Sequence, residues 1–80
     1  MSRQSRGKNM GQDVEGETLG ARLREARRRA VLTQDELAGR ARVSPREIRL
    51  LESGTTLRPR PRTLRALARA LGLQVERLVV

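Results

Sequence analysis

The chain has 80 residues and a formal net charge of +9, from 18 Lys and Arg against 9 Asp and Glu. It contains no Cys and no His, which excludes a thiolate nucleophile, an imidazole base, a disulfide framework and zinc sites of the usual ligand types. It contains no Phe, Trp or Tyr either, so single-stranded or flipped bases have nothing to stack on. What remains is a small, basic, single-domain chain of modest expected stability. Its charge asks for an anionic partner: nucleic acid first, then an acidic membrane surface, then an acidic protein.

Residues 1–16 hold three glycines, and their apolar residues are only Met1, Met10 and Val14. They follow neither a period of 2 nor one of 3.6, which predicts a disordered polar arm. The arm carries Arg3, Arg6 and Lys8 against Asp13 and Glu15, a net +1, so the basicity belongs to residues 17–80. The opening MSRQSRGKNM lacks the apolar stretch of a secretory signal, and no apolar run is long enough for a membrane span. With no Cys, a reducing compartment, the cytoplasm, is expected.

Residues 17–80 are expected to form one all-α domain of four to five short helices. Thr18 is the expected N-cap of the first helix, with Leu19, Leu23, Ala26 and Ala30 on its inner face. Thr33-Gln34-Asp35-Glu36 is a capping box that opens the second, whose apolar side is Leu37, Ala38 and Ala41. Ser44-Pro45-Arg46-Glu47 reads as another box, with Pro45 at the first helical position. Ile48 and Leu51 form the inward stripe of this third helix, and Gly54 suits its left-handed end. After the loop Leu57-Arg58-Pro59-Arg60, Pro61 starts a fourth helix that carries Leu64, Leu67, Ala68 and Leu71 and ends at Gly72. Its N-cap, Arg60, is a weak one. Residues 74–79 add a turn or two with Val75, Leu78 and Val79.

Arg42-Val43-Ser44 leaves only a tight turn between the second and third helices, the helix-turn-helix arrangement. Residues 19–78 resemble the Cro and phage-repressor (XRE-type) helix-turn-helix family. The match is closest over residues 34–53, with apolar positions at Leu37, Ala41, Val43, Ile48 and Leu51 and the small Ala38 between them. The resemblance implies a lambda-repressor-like fold and a bacterial or phage-type, sequence-specific regulator of transcription that binds double-stranded DNA. Two positions depart from the family's usual glycine, Val31 and Arg42. A different exit from the first helix is expected at Val31, because a β-branched residue with positive φ is an outlier. Strain of ~1–2 kcal/mol is expected at Arg42 if the usual turn is kept.

By the same resemblance, the third helix lies in the major groove and Pro45, Arg46 and Leu50 face the base edges. Arg46 can pair with guanine, and Leu50 can pack on a thymine methyl. Pro45 stands where the family often has Gln, so Gln34, which often braces that Gln, loses its partner and is left to phosphate. Direct readout is therefore expected to be low, with DNA shape supplying part of the specificity. Gln34 and Ser44 lie at helix N-termini, where backbone N–H groups attract phosphate. Ser53, Thr55, Arg58 and Arg60 sit in or beside the loop with which the family grips the DNA backbone, and Arg49 joins them on the outer face. The resemblance also implies a partly buried ion pair between Arg27 and Glu52, joining the first helix to the third.

Most other arginines, Arg24 and Arg28 among them, read as solvated helix faces. The apolar end around Val75, Leu78 and Val79 leaves three readings open: folding back onto the fourth helix, a homodimer seam, or the cut end of a DNA-binding head from a larger regulator. A rival to DNA binding is the same fold used as a protein-interaction adaptor or antitoxin-like module. No enzyme activity, cofactor, metal or membrane partner is expected.

Overall fold

A computed structural model describes residues 18–56 and 58–79. The expected arm over residues 1–16, Leu57 of the loop and the terminal Val80 lie outside the described residues. Those described form five α-helices and no strand: α1 (Leu19–Arg29), α2 (Gln34–Ala41), α3 (Pro45–Glu52), α4 (Pro61–Leu71) and α5 (Glu76–Val79).

Local chemistry sets where the helices begin. The Thr18 hydroxyl accepts from the Ala21 N–H at 3.0 Å. At α2 both halves of the capping box are made: Glu36 N–H donates to Thr33 Oγ1 and Thr33 N–H donates to Glu36 Oε1. At α3 only the serine half exists, with Glu47 N–H donating to Ser44 Oγ at 3.1 Å. The expected second capping box is thus corrected to a single cap. Arg60 makes no side-chain cap, and α4 relies on Pro61, whose ring pre-sets the helical φ.

The ends share one device. Val31, Arg42, Gly54 and Gly72 all take positive φ, between 58° and 83°. Val31 therefore keeps the left-handed turn, against the expected different exit. Two bonds hold it there: Leu32 N–H donates to the Arg27 carbonyl at 3.1 Å, and the Arg27 guanidinium donates to the Leu32 carbonyl at 2.8 Å. The turn buries Leu32 while Val31 itself stays 85% exposed. Burying a leucine stabilises by about 1.5–3 kcal/mol, enough to offset a left-handed β-branched residue at ~1–2 kcal/mol.

The core is built from Leu23, Leu37, Ile48, Leu51, Leu67 and Leu78, all fully buried. α3 packs on both α1 and α2, and α4 packs on α2. The inner face of α1 differs from the expected stripe. Ala30 is exposed and Ala26 only half-buried, whereas Gly20, Leu23 and Arg27, spaced three and four apart, face inward. Gly20 is required there: a Cβ at this position would stand 2.3 Å from the Leu51 carbonyl oxygen and 3.0 Å from that of Glu52. The backbone of α1 thus rests directly on the C-terminal carbonyls of α3.

At the C-terminal end, Leu78 belongs to the core and is 1% exposed. Val75 packs partly against the core and Val79 is 46% exposed. The segment folds back, as one of the three readings had it, but its main contact is α1, not α4.

Candidate nucleic-acid interface

The amphipathic α3 is fixed by one face and free on the other. Ile48, Leu51 and Glu52 are buried, whereas Pro45, Arg46 and Arg49 are exposed and Leu50 is half-buried. No acid pairs with Arg46 or Arg49 among the described residues. Both guanidiniums on this face are therefore available to an external anion. Arg49 pairs with neither Glu47 nor Glu52.

Glu52 is instead the hub that locks α3 in place. Its side chain is 1% exposed. Arg27 grips it with two parallel bonds, Nε to Oε2 at 2.6 Å and Nη2 to Oε1 at 3.0 Å. This is the bidentate geometry that suits guanidinium to carboxylate. Gln34 Nε2 donates to the same Oε1 at 3.1 Å. Arg24 approaches to 3.7 Å and donates from Nη2 to the Glu52 carbonyl at 3.3 Å. A carboxylate has about four lone-pair sites, and three are used here. Burial alone would raise the Glu52 carboxyl. The bonds from Arg27 and Gln34, with the charges of Arg27 and Arg24, outweigh it and hold the group below the usual range. The bond to Glu52 raises Arg27 in turn, against its own desolvation.

Two sequence expectations change here. Gln34 is not left to phosphate alone: with Pro45 unable to pair with it, it braces Glu52 instead, from the first position of α2 to the last of α3. Arg24 is not a plain solvated cation, because it caps the carbonyl end of α3. Arg24 lies four residues after Gly20, on a side of α1 that only its packing on α3 identifies. Nothing local pointed from Gln34 to a carboxylate eighteen positions away.

The hydroxyls proposed for phosphate are engaged within the domain. Ser44 Oγ accepts the helix cap, which leaves its own O–H free to donate. Ser53 Oγ donates to the Leu50 carbonyl at 3.1 Å and shares a 2.9 Å hydrogen bond with Thr55 Oγ1. Thr55 and Thr56 N–H both donate to the Leu50 carbonyl through the turn at Gly54. Ser53 and Thr55 therefore shape the loop first. Arg58 and Arg60, further along it, are exposed and have no acidic partner among the described residues.

Residues 18–79 match the family described as helix-turn-helix domain, and the chain belongs to that family. The family is associated with XRE-type DNA-binding domains. No curated protein matches the chain. Among the described residues no helix is long and apolar enough to cross a membrane, and no group of His, Cys, Asp or Glu could hold a metal ion.

Proposed function

We propose that the domain binds double-stranded DNA with α3 in the major groove and acts as a sequence-specific regulator of transcription. The observation that carries this reading is the division of α3 into a locked inner face and an outer face whose arginines have no acidic partner among the described residues. Arg46 is the base-reading residue, beside Pro45 and Leu50. Arg49, Arg58 and Arg60 hold phosphates, together with the exposed O–H of Ser44 and the N-terminal N–H groups of α2 around Gln34. Ser53 and Thr55 set the loop that presents Arg58. Recognition leans on shape and backbone contacts, because only one side chain on the base-facing set can hydrogen-bond.

The test is binding to mixed-sequence duplex DNA across a salt series. Log K should fall linearly with log salt, with a slope that reflects several neutralised phosphates. No binding to any duplex at low salt would reject the reading. A pair held through the C-terminal segment on half-sites about 34 Å apart would use Val79 and the half-buried Val75, since Leu78 is committed to the core. Sedimentation at two protein concentrations tests that part.

A further inference from the structure

A groove of about 700 Å³ runs between α1 and the chain from Leu71 to Arg77. No residue of α2 or α3 lines it. Its apolar floor and wall are Ala21, Ala26, Ala30, Leu71 and Leu73. Both leucines are half-buried, so each still offers apolar surface. Arginines surround this strip, and the one acid among its described residues, Glu25, is already paired with Arg29 at 2.9 Å. Arg28 and Arg77 lie on the groove with no acidic partner among the described residues.

We infer that this groove is a docking site for an acidic segment of a partner protein, one that carries aliphatic side chains among its carboxylates. Charge complementarity selects that occupant. A second copy of this chain brings +9 of its own, which opposes its seating among these arginines. A nucleic-acid backbone would satisfy the arginines but would leave the alanines and leucines facing phosphate, with no aromatic ring to stack a base. An acidic aliphatic segment satisfies both, with carboxylates on Arg28 and Arg77 and apolar side chains on Leu71 and Leu73. No residue of α2 or α3 lines the groove, and Arg24 touches only the carbonyl end of α3, so the domain can hold the partner while the outer face of α3 is on DNA. It then acts as a connector and not only as a DNA grip.

The test uses the full chain, labelled with nitrogen-15, at physiological salt, where charges further apart than about 8 Å are largely screened. The probe is a 12-residue peptide of glutamates with leucines spaced three and four apart; its control has serines in place of the leucines. Amide signals of residues 21–30 and 71–77 should shift with the leucine peptide, and should do so equally when a duplex is bound. The double variant Arg28→Gln/Arg77→Gln should weaken the leucine peptide at least about tenfold. The charge-matched Arg62→Gln/Arg65→Gln should leave it unchanged. Equal binding of the serine peptide, shifts centred on α2 and α3, or displacement by duplex would overturn the inference. So would shifts of the same amides on raising the protein concentration alone, which would mark a second copy as the occupant. Peptide binding without duplex binding would leave this site standing and reject the DNA reading instead.

Discussion

Arg27 and Glu52 meet across 25 positions of sequence in a two-pronged ion pair, at 2.6 and 3.0 Å, with the carboxylate sealed from solvent. The pair ties α1 to the last residue of the helix proposed to read DNA. Truncating one partner leaves the other charge buried and unmatched. Glu52→Ala should therefore destabilise the domain by about 3–5 kcal/mol. A thermal melt should drop by more than about 10 °C, given 4–8 °C per kcal/mol for a domain of this size. An unchanged melt would mean the pair is only decorative.

The same group predicts a pH dependence. Glu52 titrates below its usual value in the folded state, whereas its unfolded value is about 4.3. Its contribution is therefore complete above the unfolded value and is lost as pH falls through the folded one. Urea midpoints of wild type and Glu52→Gln should differ at pH 7, converge below about pH 4 and meet at still lower pH. A gap that widened on acidification would reverse the assigned sign.

Gly20→Ala separates two opposed effects. In an exposed helix this change stabilises by roughly 1 kcal/mol through propensity. Here the added methyl would stand 2.3 Å from a backbone carbonyl of α3, and backbone cannot swing aside. The variant should lose about 1–3 kcal/mol in a urea titration. A gain would mean that α1 and α3 are not in such close contact.

Val31 and Arg42 hold left-handed φ without being glycine, at 58° and 61°. Glycine at either position should relieve ~1–2 kcal/mol of strain, less about 0.4–1 kcal/mol for the freer unfolded chain. Val31→Gly and Arg42→Gly should each raise stability by between about 0 and 1.6 kcal/mol, and additively, since each acts on its own turn. Differential scanning calorimetry on the two singles and the double checks both points.

The proposed DNA contacts divide by kind. Arg46→Ala should cut discrimination between sites by about 1–3 kcal/mol. Arg58→Ala should weaken all duplexes alike and reduce the salt slope by about one. Anisotropy titrations on matched and mismatched duplexes measure both, and the opposite pattern would exchange the two roles.

Features encoded within a few residues were legible in the sequence. The caps at Thr18, Thr33 and Ser44, the prolines that open α3 and α4, and the glycines after α3 and α4 each follow from local backbone chemistry. So do the buried leucines at helical spacing. Features set by packing between distant segments were not. No local pattern singles out Gly20, because the reason for it is a carbonyl 31 positions away. Ala30 looked like core because periodicity does not reveal where a helix stops being covered. Val31 was expected to avoid a conformation that is unfavourable by itself; the burial of Leu32 next door outweighs that local penalty. Gln34 was assigned to solvent-side duty because its acceptor lies on another helix.

The crowded carboxylate of Glu52 sets a limit on transplantation. Residues 44–52 look like a portable cassette, an eight-residue helix with its own cap and a free outer face. Yet its final residue draws hydrogen bonds from Arg27 and Gln34, and its backbone carbonyl one from Arg24. Moved into another scaffold without those donors, the helix would carry a stranded negative charge into the new core. The proposed base-facing set, Pro45, Arg46 and Leu50, is therefore better varied in place than by exchanging the helix.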